Sequence, residues 1–182
     1  LDLLVNKGAL RLAKDLDEDI HAWRFRKMEK AYPYLVVDAR YEKIRINHQV
    51  VSQGVLLVVG IGSDGYREIL GTWVADSENE TSWSEVFKEL KGRGLKGVKY
   101  VVSDDHAGLV KAIGRHFQGA LWQRCQVHFA RNLCSQVSKK DRPRIIEMIR
   151  EITTAQAYAT ARKRMDEAIE ALEKGHPRDA QM

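Results

Sequence analysis

Cysteine is nearly absent from this chain: Cys125 and Cys134 are the two in 182 residues, too few for disulfides to stand in for a core. Long apolar runs are lacking too. None approaches the ~18 residues of a membrane-spanning helix, so no membrane partner is expected. Internal repeats are missing, and low complexity is confined to an Ala-rich stretch near residue 155, which argues against a repeat array or a disordered chain. No signal-peptide pattern opens the sequence, and a reducing, cytoplasmic setting is expected. The first residue is Leu1, with helical periodicity already under way, so the expectation is a fragment of something longer.

The chain does hold enough apolar material to fold. At 20.8 kDa, with 44% hydrophobic and 30% charged residues, it is of a size and balance to bury one core, with small appendages. Its net charge of +5 and pI near 9.2 make a polyanionic partner plausible.

Apolar residues at Leu3, Val5, Ala9, Leu12, Leu16, Ile20 and Trp23 follow the helical period, and Pro33 closes that segment. Strands are predicted at Tyr34 to Val37, Val50 to Ile61 and Tyr66 to Ala75, with Asp64-Gly65 as the turn of the second hairpin. Ser77 and Glu80 form a capping-box signature for a helix carrying Trp83, Val86, Phe87 and Leu90, which Gly92 stops. A strand from Val98 to Ser103, a helix from His106 to Phe117 and a short strand at Ala120 to Trp122 follow. Beyond Gln126 the pattern is helical, in segments to Val137, from Pro143 to Ile152 and from Ala155 to Glu173. Three consecutive strands followed by helix, strand, helix, strand predict an α/β fold. Its sheet is mixed and five-stranded, flanked by helices in the ribonuclease H-like order, with an N-terminal helix and a C-terminal all-helical segment.

Two acids stand where apolar strands run out. Asp38 follows Tyr34-Leu35-Val36-Val37, and Asp104 follows Tyr100-Val101-Val102-Ser103. Strand ends gather side chains from distant segments on a rigid base, and two carboxylates meeting there repel unless a cation lies between them. Oxygen ligands suit Mg²⁺ or Mn²⁺. Taken singly, either acid is better read as a turn former or helix cap, with Asp104 or Asp105 capping the helix that starts at His106; only the pair brings the metal reading level with that one.

The segments "YPYLVVDARYEKIR", "GSDGYREILGTWVADSENETSWSEVFKELKGRGLKGVKYVVSDDHAGL" and "WQRCQVHFARNL" together resemble the catalytic domain of bacterial Mutator-type insertion-sequence transposases, a DDE group with a ribonuclease H-like fold. The likeness runs from about Leu12 to Val137. It implies that Asp38 and Asp104 are the first two acids of the triad and ligands of a two-metal Mg²⁺ or Mn²⁺ site. Asp105 falls on the variable position of Ser-Asp-x-His-x-Gly-Leu. Neighbouring residues of an extended strand face opposite ways, so one of the two aspartates joins Asp38 and the other serves as cap or support.

The same resemblance implies metal-dependent DNA cleavage and strand transfer, with element-end and target DNA as partners and a homodimer or higher oligomer in the full-length protein. A ribonuclease H-like nuclease without strand transfer and a domesticated DNA-binding protein are the alternatives. The family's third acid is a Glu beyond a helical insertion. No matching segment follows Cys125, so the chain is expected to stop inside that insertion, short of the triad. The expected divisions are 1–31 as a helix or connector from a DNA-binding region, 32–138 as the catalytic core and 139–182 as the start of the insertion.

His106, Gly108, Cys125 and His128 are motif positions around this site. Cys125 and His128 form a Cys-x-x-His pair, but a structural zinc needs a second such pair and none is recognisable, so zinc is not expected. Gly108 is expected to let its helix approach the sheet or DNA closely. Arg40, Lys43 and Arg45 after the first acid, and Arg124, Arg131, Lys139 and Lys140 after the fifth strand, are the candidate DNA contacts. Trp73, Trp83 and Trp122 are expected to fill core.

Overall fold

Buried and exposed residues alternate along successive strands, and that alternation builds the sheet on which everything else is placed. The computed structural model describes residues 2–46 and 48–175, with side chains at 14–45 and 48–173. It divides into two units, Leu1–Gln123 and Arg124–Met182. The first unit contains α1 (Asp2–Phe25), β1 (Tyr34–Ile46), β2 (Gln49–Ile61), β3 (Arg67–Ala75), α2 (Glu80–Gly92), β4 (Tyr100–Ser103) and α3 (Ala107–His116), and β5 (Leu121–Arg124) runs to its boundary. The strands form one sheet in the order β3-β2-β1-β4-β5, with β1 antiparallel to β2 and parallel to β4. This is the mixed five-stranded sheet of ribonuclease H-like order that the element sequence predicts.

Leu35 and Val37 of β1, Leu56 and Val58 of β2, and Val101 of β4 point into one face. Trp83, Val86, Phe87 and Leu90 of α2 and Leu109, Ala112 and Ile113 of α3 cover that face and complete the core. Each such side chain contributes about 1.5–3 kcal/mol when fully buried. A bulge in β3 opposite Val58 and Val59 turns two consecutive residues, Leu70 and Gly71, inward.

Three boundaries differ from the sequence reading. β1 does not end before Asp38 but continues to Ile46, paired with β2 along its whole length. Its outer half is exposed or half-buried on both faces, so its polar residues give no apolar alternation to mark it as strand. The capping box at the start of α2 is Asn79 with Ser82, not Ser77 with Glu80: Asn79 Oδ1 accepts the Ser82 N–H at 3.0 Å and Ser82 Oγ accepts the Asn79 N–H at 3.1 Å. Ser77 instead receives a hydrogen bond from the Asn79 amide. α1 stops at Phe25 rather than at Pro33, whereas α2 ends at Gly92 as expected. The chain turns at Gly94, φ 104°, where an added Cβ would lie 2.6 Å from the Met28 carbonyl oxygen.

Between α1 and β1, Arg26 donates to Glu68 Oε1 at 2.8 Å and to the Ile69 carbonyl at 2.7 Å, and Tyr32 donates to Glu68 Oε2 at 2.5 Å. These bonds fasten the connection to β3. The α1 residues Leu3, Val5, Ala9 and Leu12 lie outside the described side chains, whereas Leu16 and Ile20 are exposed.

The second unit contains α4 (Gln126–Gln136), α5 (Arg142–Thr153) and α6 (Tyr158–Gly175). Leu133, Val137, Ile145 and Leu172 are its buried core, with Phe129, Cys134, Met148 and Ile149 packed against them. No described helix is long and apolar enough to cross a membrane.

Candidate metal and nucleic-acid site

The parallel register of β1 and β4 relates Asp38 to the two aspartates that follow β4. Tyr34 pairs with Tyr100, Leu35 with Val101 and Val36 with Val102. Two residues beyond the last pair come Asp38, still within β1, and Asp104, the first residue after β4. Side-chain parity agrees, because the rings of Tyr34 and Tyr100 stack at 5.3 Å on the face opposite to that of buried Leu35 and Val101. Every second residue keeps that face: Tyr34, Val36 and Asp38 on β1, and Tyr100, Val102 and Asp104 on the neighbouring segment. Both carboxylates are half-buried, and Asp105 is exposed.

Asp38 lies two residues beyond the β1–β4 pairing, within β1 rather than at the end of its own strand. Its Oδ1 accepts the Ala39 N–H at 2.9 Å. Asp104 follows β4 directly, and its Oδ1 accepts the backbone N–H of His106, the N-cap residue of α3, at 3.3 Å.

A relay from β5 supports Asp104. Trp122 Nε1 donates to Ser103 Oγ at 2.9 Å, and Ser103 Oγ donates to the Asp104 carbonyl at 2.7 Å. Ser103 is 1% exposed, so its hydroxyl is satisfied entirely within this relay. Trp122 is 37% exposed and so does not fill core as expected, whereas Trp73 and Trp83 do. A serine at the inward position after Val101 was the sequence signal for this relay.

His106 leads to Glu78, a carboxylate that was not among the candidate site residues. Its Nδ1 lies 3.6 Å from Glu78 Oε1. The same oxygen accepts the Trp83 indole N–H at 3.0 Å, while the Glu78 backbone N–H donates to the Tyr41 hydroxyl at 3.0 Å. The Glu78 side chain is only 9% exposed. Gly108 approaches the start of α2, not the sheet: a Cβ there would lie 2.7 Å from the Glu80 nitrogen and 3.0 Å from the Asn79 carbonyl carbon.

The remaining sequence candidates fall in separate places. On β1, Arg40 shares the strand face of Asp38, while Lys43 and Arg45 alternate to the other; all three are exposed. In the second unit, Cys125 is the N-cap of α4 and His128 stands in its first turn, both half-buried. Arg124 lays its guanidinium over the Phe129 ring at 5.2 Å, a cation–π contact, and Arg131, Lys139 and Lys140 are exposed.

Among the described residues, no group of three or more His, Cys, Asp or Glu side chains is arranged to hold a metal ion. The pair Asp38 and Asp104 nonetheless suits one kind of ion. Mg²⁺ takes hard oxygen donors and is commonly held by one or two carboxylates, with water and substrate phosphate filling the rest of its shell.

The family described as "Transposase, Mutator family" matches residues 7–182. The chain is 51% identical over 127 residues to the transposase for insertion sequence element ISRM5 of Rhizobium meliloti (strain 1021), covering 70% of this chain and 32% of that protein. It is 41% identical over 142 residues to the transposase for insertion sequence element IS256 in transposon Tn4001 of Staphylococcus aureus, covering 78% and 36%. It is 38% identical over 172 residues to the transposase for insertion sequence element IS406 of Burkholderia multivorans (strain ATCC 17616 / 249), covering 94% and 44%. The chain thus spans less than half the length of each.

Proposed function

Because the chain belongs to the Mutator family of transposases, we propose that Asp38 and Asp104 are the first two acids of a divalent-metal site for DNA strand cleavage and strand transfer. The observation that carries this reading is the β1–β4 register, whose last pair is Val36 with Val102, so that half-buried Asp38 and Asp104 each stand two residues beyond it. When bound, Mg²⁺ or Mn²⁺ supplies Lewis-acid activation of the attacking water or 3′-hydroxyl and charge stabilisation at the phosphate. The chain's own part is to fix the ligands: Asp104 through Ser103 and Trp122, and Asp38 through the central position of β1.

Element-end and target DNA are the proposed partners, with two or more copies of the protein bringing the ends together. Arg40, Lys43, Arg45, Arg124, Arg131, Lys139 and Lys140 are proposed to neutralise backbone phosphates as a group, which makes binding weaken as salt rises. Gly108 sets the seat of α3 against α2, and with it the segment that follows Asp104. Cys125 and His128 are proposed as packing and hydrogen-bonding residues at the start of α4, not as a zinc pair. The proposed divisions keep 1–31 as a connector to a DNA-binding region, 32–138 as the catalytic core and 139–182 as the start of a helical insertion.

Cleavage and transfer are proposed for a protein of the relatives' full length, in which a third acid would complete the site. The test is a joining assay with that protein, a pre-cut duplex bearing a free 3′-hydroxyl, and a supercoiled target plasmid. Joined products that require Mg²⁺ or Mn²⁺ and vanish in Asp38→Ala and Asp104→Ala are expected. Metal-dependent hydrolysis without joining would instead assign a nuclease, and DNA binding with neither reaction a non-catalytic protein.

A further inference from the structure

Glu78 is a nearly buried carboxylate to which the sequence reading gave no role, on the loop between β3 and α2. Its Oε1 faces two nitrogens, the Trp83 indole at 3.0 Å and His106 Nδ1 at 3.6 Å. Trp83 is fully buried in the core and its N–H can only donate, so it anchors that oxygen from the rigid side. The Tyr41 hydroxyl, accepting the Glu78 N–H, anchors the backbone from β1. Held at both ends, the carboxylate presents a fixed acceptor to the imidazole.

His106 Nδ1 is buried and makes no hydrogen bond among the described residues, yet 38% of its side chain stays exposed. The open part of the ring therefore excludes Nδ1. An ionised carboxylate accepts and does not donate, so the neutral ring tautomer compatible with Glu78 carries its proton on Nδ1 and leaves the Nε2 lone pair outward. His106 also gives its backbone N–H to Asp104, which ties the His106 backbone to that acid.

We propose that Glu78 is a positioning residue for the Asp104 side of the site: anchored by Trp83 and Tyr41, it holds His106 in the Nδ1–H tautomer, so that Nε2 accepts a hydrogen bond from water or a DNA hydroxyl. The inference rests on the metal-site reading of Asp38 and Asp104 for its place in the reaction. The Glu78–His106 relationship itself can be measured without metal or DNA. A carboxylate that orients a histidine through its second nitrogen is a general device for fixing ring direction and tautomer.

The test is a long-range ¹H–¹⁵N imidazole correlation on the 182-residue chain, recorded above the pH at which imidazole is protonated. His106 is expected in the Nδ1–H form. Glu78→Ala should return it to the Nε2–H form that free histidine favours, while Glu78→Gln, whose amide oxygen still accepts, should retain Nδ1–H. An Nε2–H ring in the wild-type chain overturns the proposal, and this spectrum decides the matter even where Glu78→Ala fails to fold. A tautomer indifferent to Glu78→Ala in a natively folded variant overturns it as well. Mn²⁺ added to the same sample tests the metal reading separately: the absence of paramagnetic broadening at Asp38 and Asp104 with the Nδ1–H tautomer intact rejects the metal reading and not the Glu78–His106 relationship.

Discussion

Asp38 and Asp104 each stand two residues beyond the Val36–Val102 pair of β1 and β4, in the alternation that begins with the stacked rings of Tyr34 and Tyr100. Asp105, next in sequence, alternates away and is exposed. Replacing Asp38 or Asp104 with Ala is therefore expected to abolish Mn²⁺ binding in isothermal titration calorimetry, whereas Asp105→Ala should leave most of it. Loss of binding in Asp105→Ala alone would mean that the ligand pair lies on the other parity of these segments.

The Trp122–Ser103–Asp104 relay predicts a loss of both stability and metal affinity when its middle member is removed. In Ser103→Ala, the Trp122 N–H and the Asp104 carbonyl lose their partner in a buried setting, at a cost of about 1–3 kcal/mol. Urea denaturation should show that loss, and Mn²⁺ affinity should fall several-fold as Asp104 gains freedom. Unchanged affinity in a destabilised Ser103→Ala would confine the relay to folding.

Gly108 tests how tightly α3 is seated on α2. A methyl group there meets the backbone at Glu80 and Asn79, atoms that cannot rotate aside as a side chain tip would. Gly108→Ala is expected to destabilise the chain by about 1–3 kcal/mol through overpacking, partly offset by the better helix propensity of Ala. A melting temperature equal to or above that of the wild type would show that α3 can shift without loss.

Much of this arrangement was legible because its signals are local. Leu35 and Val37 alternate with Tyr34 and Val36, and Trp83, Val86, Phe87 and Leu90 recur at the helical period, so the strands and helices that build the core announce themselves. The outer half of β1 does not, because Arg40 to Arg45 are held as strand by pairing with β2 and bury no continuous face. Ser77–Glu80 and Asn79–Ser82 are two overlapping capping patterns, and only the observed start of α2 at Glu80 selects the second. Glu78 was illegible for a different reason. In sequence it is one more acid beside a helix start; its burial depends on Trp83, Tyr41 and His106 arriving from three other elements.

Glu68 and Tyr32 give the chain a dependence on pH at both ends. Hydrogen bonds from Tyr32 and Arg26 hold the Glu68 carboxyl below its ordinary value of 4.5, outweighing its partial burial. Between the folded and ordinary values the unfolded chain binds more protons, so this stabilisation is complete above 4.5 and is lost as pH falls through the lower folded value. At the alkaline end, burial, the hydrogen bond to Glu68 and that carboxylate's charge raise the Tyr32 hydroxyl above its ordinary value of 10.0. Its stabilisation is complete below 10.0 and is lost as pH rises through the higher folded value. Glu68→Gln should therefore flatten the acid limb of a melting-temperature profile and soften the alkaline one, while Tyr32→Phe should remove Tyr32's share of the alkaline limb and leave part of the acid limb, since Arg26 still pairs with Glu68 at 2.8 Å. Parallel acid limbs in wild type and Glu68→Gln, measured by circular dichroism, would show that other carboxylates govern acid unfolding.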